Sequence, residues 1–120
     1  MSKPSAIFLR GVHQSIDMSA KWAMGALGKA PYDDDHYGTI REELAVLRGI
    51  RLKQAQANAL EKLMIELGRS VAFDLLSMID GVVYSEGEEL PDMALIDRAT
   101  GQDIADGFLH DEFHAFAPDE

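Results

Sequence analysis

The stretch from Leu52 to Ile79 constrains the fold of this chain more than any other part of its sequence. Apolar residues recur there at helical spacing along two stripes, Leu60, Leu63, Leu67, Val71, Leu75 and Met78 in the first and Ile65, Ala72, Leu76 and Ile79 in the second. A helix that is apolar on most of its faces is typical of a protein interior. The pattern therefore predicts a long central helix that the rest of the chain buries.

Two shorter patterns before this stretch predict two more helices. Pro4 is tolerated in the first turn of a helix, and apolar residues recur at helical spacing from Leu9 onwards, which predicts helix one over 4–27. Thr39 and Glu42 have the spacing of a capping box, which predicts the start of helix two. The intervening GKAPYDDDHYG, residues 28–38, carries Gly, Pro and three successive Asp, and it is predicted to be a loop.

The periodicity changes after the central helix. Gly81 is the natural residue to end that helix in a left-handed conformation. Segments rich in β-branched and apolar residues follow at 82–85 and 93–99, and 102–106 reads as a returning strand. These segments predict a two- or three-stranded antiparallel sheet packed on the central helix, with a short C-terminal helix after it.

The expected fold class is therefore α+β and predominantly helical. Three N-terminal helices, including the long central one, precede a small antiparallel sheet and a short C-terminal helix. The chain has 120 residues, of which 47% are hydrophobic, so a single domain spanning 1–120 is expected. This order of elements is similar to that of many compact bacterial proteins, a likeness that assigns no role to any residue.

Several classes of chemistry are excluded by what the sequence lacks. The chain has no Cys, which excludes disulfides, zinc-thiolate sites and a cysteine nucleophile. Its glycines do not have the spacing of a phosphate-binding loop, and no Gly-x-Ser-x-Gly motif is present. No catalytic residue is assigned, and an enzyme is the less favoured class. Without a signal peptide pattern or an apolar run of membrane-spanning length, a cytoplasmic location is expected.

The charge is unevenly distributed. The formal net charge is −10, and residues 1–73 carry ten Lys or Arg against eight Asp or Glu, whereas residues 74–120 carry one, Arg98, against thirteen. Nucleic-acid phosphates require clustered cations, so the C-terminal half is excluded as a nucleic-acid surface. Acidic surfaces attract basic proteins by Coulomb forces, most strongly at low salt, although such a surface also serves solubility alone.

The leading functional hypothesis is a non-enzymatic cytoplasmic interaction protein. Its acidic C-terminal surface would bind a basic protein partner, in the manner of an immunity protein or antitoxin that masks a cationic target. No nucleic acid, membrane or cofactor is expected. The residues predicted to contact the partner are Glu86, Glu88, Glu89, Asp92, Asp103, Asp106, Asp111 and Glu112.

The alternative is a small metal-binding protein or metal-dependent enzyme. In GFLHDEFHAF, residues 107–116, His110 and His114 are four positions apart and could share a divalent transition metal such as zinc, manganese or iron. The zinc-protease motif is absent, because Asp111 stands where that motif requires Glu. His36, or Asp33 to Asp35 beside it, would have to supply a third ligand.

The same segment also has a purely structural interpretation, because Leu109, Phe113 and Phe116 form one apolar line on a helix. The two histidines would then lie at its flank. A homodimer is a further possibility, since Met18, Trp22 and Met24 lie partly off the core stripe of helix one. Asp74, which interrupts the apolar part of the central helix, is expected to face water.

Overall fold

The computed structural model describes residues 3–28, 38–82, 90–105 and 108–118. The chain forms four α-helices in these ranges, α1 (Pro4–Gly28), α2 (Arg41–Leu47), α3 (Gln54–Ile79) and α4 (Leu109–Phe113). Short 3-10 helices, Gly38–Ile40 and His114–Phe116, precede α2 and follow α4. No helix in these ranges is both long enough and apolar enough to cross a membrane.

The two long helices confirm the predictions from apolar periodicity. Helix α3 also ends as predicted, with Gly81 at a φ of 77°. The backbone N–H of Val82 donates to the carbonyl of Ser77 at 3.0 Å, and that of Gly81 to the carbonyl of Met78 at 3.1 Å. This pair of bonds is a Schellman motif, which satisfies carbonyl groups that the helix end leaves free.

The start of α2 differs from the prediction. Thr39 does not form a capping box with Glu42, since Ile40 occupies the N-cap position and no side chain caps the helix. Thr39 lies instead in the 3-10 turn Gly38–Ile40, which leads directly into α2.

The predicted antiparallel sheet is wrong. Over 90–105, where two of its strands were expected, the structure has one isolated antiparallel bridge between Ile96 and Asp103 and no named strand. The chain forms a turn between the two expected strands. The Oδ1 atom of Asp97 accepts a hydrogen bond from the Ala99 N–H, and Gly101 has a φ of 74°. Leu95 packs against the hydrophobic core and Ala105 is part of it, but Ile96 is 47% exposed, and a single bridge is too little strand pairing for a stable sheet. Most of the first expected strand, 82–85, lies outside the described residues.

The chain divides into two compact units. Unit 1 comprises Met1–Ile16 and Leu67–Glu120, and unit 2 comprises Asp17–Glu66. The prediction that residues 1–120 fold as one domain stays a prediction.

Unit 1 has a core to which the first half of α1, the second half of α3 and α4 all contribute. Its buried members are Leu9, Leu76, Ala105, Leu109 and Phe113. Phe116 packs against this core, so the apolar line predicted for the C-terminal segment is confirmed. A helix as short as α4 is not stable alone in water, and burial of its Leu109 and Phe113 side chains explains why it forms here.

Close packing of α1 against α3 in unit 1 depends on a glycine. A Cβ atom added at Gly68 would lie 2.7 Å from the Cγ2 atom of Ile16. That separation is well inside van der Waals contact, so this position accepts only a residue without a side chain unless Ile16 moves.

Candidate functional site

Three of the four histidines of the chain lie within unit 1, at or beside α4. They are His13 of α1, His110 of α4 and His114 in the 3-10 turn that follows. Each one contacts an aromatic ring, Phe113 or Phe73. His36, the fourth histidine and a predicted metal ligand, lies outside the described residues, as do Asp33 to Asp35.

His13 belongs to the core. It is 1% exposed, its Nε2 donates to the backbone carbonyl of Phe113 at 2.7 Å, and its ring stacks on the Phe113 ring with centroids 4.1 Å apart. Its Nδ1 atom is buried without a hydrogen-bond partner among the described residues. Sequence reasoning missed this role, although His13 follows Leu9 by four positions and precedes Ile16 by three, which places it on the core stripe.

Asp80 and His110 form a buried acid–imidazole pair. The Asp80 side chain is fully buried, and its Oδ2 atom accepts bonds from the backbone N–H of His110 at 2.8 Å and from the ring Nδ1 at 2.5 Å. The other ring nitrogen, Nε2, lies 3.3 Å from Oδ1 of the exposed Asp111. A carboxylate so placed fixes which ring nitrogen donates and how the imidazole is oriented.

The predicted histidine pair does come together, but around an aromatic ring. His110 meets the Phe73 ring edge-on with centroids 5.9 Å apart, and His114 stacks on it at 5.4 Å. Asp80 also occupies Nδ1 of His110. The described part of the chain contains no group of three or more His, Cys, Asp or Glu able to hold a metal. The third ligands that the metal hypothesis names lie outside the described residues, so that hypothesis stays a prediction.

Four of the eight acidic residues predicted to contact a partner lie among the described residues. Glu86, Glu88, Glu89 and Asp106 lie outside the described residues. Asp92, Asp103 and Asp111 are exposed and Glu112 is half-buried. Two of these carboxylates have partners within the chain, since Asp103 accepts a bond from the Ala105 N–H at 2.9 Å and Asp111 lies beside His110. Both remain open to solvent, where they still contribute negative charge.

The apolar surface of α3 is the feature that departs most from expectation. The stripe of Ala72, Leu76 and Ile79 packs in the unit 1 core, as predicted. The other stripe is exposed to water, with Leu63 at 64%, Leu67 at 65%, Val71 at 53% and Leu75 at 54%. The prediction that the whole helix is buried is therefore wrong for this stripe. We call Leu67, Val71 and Leu75, which belong to unit 1, the α3 face.

Polar residues border the α3 face on one side. Asp74 is exposed, as predicted, and it lies between Val71 and Leu75 in sequence, at the edge of the face. Ser70, one turn earlier along the same edge, is also exposed. The face is thus an apolar ridge with a carboxylate beside it.

The second half of α1 also has accessible apolar side chains, as the homodimer hypothesis requires. Met18 is 44% and Trp22 48% exposed, whereas Met24 is half-buried. These residues do not form an uninterrupted ridge, because exposed Ser19 and Lys21 lie among them. The α3 face is the more continuous apolar surface.

The sequence contains a signal for the α3 face that only the structure interprets. Two apolar stripes on one helix require two partners, and the core of unit 1 supplies only one of them.

Comparisons of the chain with models of protein families, with curated proteins and with solved structures give no match.

Proposed function

We propose that the chain is a non-enzymatic interaction protein that binds a basic protein partner through the α3 face and through the acidic residues of its C-terminal half. The observation that supports this is the exposure of Leu67, Val71 and Leu75 on three successive turns. Burying a Leu or Val side chain contributes about 1.5–3 kcal/mol. Extended exposed apolar patches mark interaction sites on proteins that are otherwise water-soluble.

The geometry of the α3 face favours a helical partner. Residues at i, i+4 and i+8 form one of the ridges by which helices pack into the grooves of other helices. A partner helix with small apolar residues facing the ridge would bury the Leu67, Val71 and Leu75 side chains together.

Charge favours a basic partner over a second copy of the chain. Asp74 borders the face, and residues 74–120 carry thirteen acidic residues and a single basic one. Two copies, each with a net charge of −10, repel one another at low ionic strength, whereas a partner with Lys or Arg beside its apolar residues is attracted. An immunity protein or antitoxin that masks a cationic target fits this combination.

A pull-down from native lysate at low salt tests the proposal, with each captured protein identified and its charge noted. Wild type is expected to retain a basic protein that is released by moderate salt. The double variant Leu67→Glu and Leu75→Glu is expected to lose it, because both substitutions place carboxylates in the buried contact. Val46→Glu is the matched control, since Val46 is 76% exposed and lies on α2, in unit 2.

A second set of variants tests the acidic component. Replacing Glu86, Glu88 and Glu89 by Lys is expected to weaken capture of the same protein and to flatten its salt dependence. The proposal fails if the Leu67→Glu and Leu75→Glu variant captures the same protein as wild type. It also fails if the protein whose capture requires Leu67 and Leu75 is acidic, or if its capture is insensitive to both salt and charge reversal.

A further inference from the structure

Unit 2 contains an open groove whose chemistry differs from that of the α3 face. It has a volume of about 290 Å³ and lies among the end of α1, α2, the segment after α2 and the first turns of α3. Ten side chains of the described residues line it, and all are apolar, including Ala26, Leu44, Ile50, Leu52 and Leu60. Ile50 is 58% and Leu52 39% exposed, so the wall formed by the segment after α2 is accessible from solvent.

The wall of this groove contributed by residues 44–60 carries only positive charge. These seventeen residues contain Arg48, Arg51 and Lys53 and no acidic residue. Arg48 is held at the groove, because its Nε donates to the backbone carbonyl of Ala26, a lining residue, at 3.2 Å. Arg51 and Lys53 are exposed and alternate with the lining residues Ile50 and Leu52, and their long side chains have the reach to meet a bound anion.

We propose that this groove binds an amphipathic helix that has apolar residues on one face and acidic residues beside them. Its apolar lining accepts a ridge of side chains at i, i+4 and i+7, as in helix-in-groove recognition. Pockets specific for small molecules contain a few convergent polar groups that orient the ligand, and none of the described lining residues supplies a polar side chain. The cationic wall selects for Glu or Asp at the flanks of the bound helix.

This site is separate from the one in the proposed function, and it prefers the opposite charge. Residues 74–120 are strongly acidic, whereas residues 44–60 are purely basic among their charged members. A chain with both sites would join a basic protein to a protein that presents an acidic helix. Each site can therefore be abolished without loss of the other.

The test uses two fluorescein-labelled synthetic helices with the same Leu residues at i, i+4 and i+7, one flanked by Glu and the other by Lys. Their binding to the full chain is followed by fluorescence polarisation. The Glu peptide is expected to bind at least tenfold more tightly than the Lys peptide at low salt, and to lose most of that preference at high salt. Methyl NMR shifts on binding are expected at Leu44, Ile50 and Leu52.

Three variants locate the site. Ile50→Glu places a carboxylate on an exposed lining residue and is expected to weaken binding of the Glu peptide at least tenfold. Val46→Ser is the control, because Val46 lies on α2 without lining the groove and the substitution leaves the charge of residues 44–60 unchanged, so it is expected to bind like wild type. Leu67→Glu, which affects the α3 face, is also expected to leave peptide binding unchanged.

Several results would overturn the proposal. One is equal binding of the Glu and Lys peptides, or an Ile50→Glu variant that binds like wild type. Another is binding of dodecanoate in place of either peptide, which would indicate a site for a small amphiphile. A third is a concentration-dependent dimer that Ile50→Glu abolishes, which would show that a second copy of the chain fills the groove.

Discussion

Asp80 and His110 stand thirty residues apart in sequence and connect the end of α3 to the first turn of α4. One carboxylate oxygen, Oδ2, accepts both bonds, from the backbone N–H and from the ring Nδ1 of His110. The other, Oδ1, is buried without a partner among the described residues. The short α4 is thus held at its start by Asp80 and along its length by the core.

Removing this carboxylate is expected to destabilise the protein. Asp80→Ala eliminates two hydrogen bonds to a buried side chain, which costs on the order of 2–3 kcal/mol. Asp111→Ala is the control, because its exposed carboxylate contributes less than about 1 kcal/mol. Urea denaturation followed by circular dichroism measures both. Equal stability of the two variants would show that the Asp80 contact does not hold α4.

His13 and His114, which both stack on aromatic rings, are expected to contribute different amounts to the stability of the fold. His13→Ala leaves a cavity in the core and removes the hydrogen bond to the Phe113 carbonyl, with a combined cost of about 2–4 kcal/mol. His114 is exposed, so His114→Ala is expected to cost less than about 1 kcal/mol. Thermal melts of both variants test the order, and a His114 variant that melts below the His13 variant would contradict it.

Two glycines on helices are expected to respond in opposite ways to alanine. At Gly68 the added Cβ would meet the Ile16 side chain at 2.7 Å, so Gly68→Ala is expected to cost about 1–3 kcal/mol. At Gly11 nothing lies within 4 Å of the added atom, so Gly11→Ala is expected to stabilise α1 by up to about 1 kcal/mol.

The reason for this contrast can be checked with a double variant. If the cost at Gly68 arises from contact with Ile16, it should shrink when Ile16→Ala removes the methyl group involved. A Gly68→Ala cost that is the same in both backgrounds would place its origin elsewhere.

The oligomeric state in solution is expected to depend on the net charge. Because two copies at −10 each repel, the purified chain is expected to sediment as a monomer at low ionic strength. Any self-association should strengthen as salt screens the charges. A dimer at low ionic strength that Leu67→Glu disrupts would mean that a second copy, and not a basic partner, covers the α3 face.

The long helices were predictable because their apolar periodicity extends over about seven turns. The sheet was not, because the strand propensity of 93–99 and 102–106 does not show that the chain between them forms a tight turn. Met93 and Ile96 are exposed, and the side chains of Asp97 and Thr100 accept hydrogen bonds from the backbone N–H groups of Ala99 and Gln102, which favours that turn. Propensity in strands reflects packing with neighbours, which a local pattern does not contain.

The candidate sites were predictable only in part. The spacing of His110 and His114 placed both on one side of the last segment, but it does not reveal Phe73 between them or Asp80 beside His110. Those contacts join residues about thirty to forty positions apart. The apolar character of α3 was evident from its sequence, whereas which of its two stripes faces water depends on how much core the rest of the chain supplies.

Site-specific crosslinking tests most directly whether the α3 face binds a basic partner. The chain has no cysteine, so Val71→Cys and Val46→Cys each carry a single site for a photoreactive label. In native lysate at low salt, the label at position 71 is expected to form an adduct with a basic protein, and the label at position 46 is not. The proposal is contradicted if both positions give the same adducts, or if position 71 crosslinks only to a second copy of the chain.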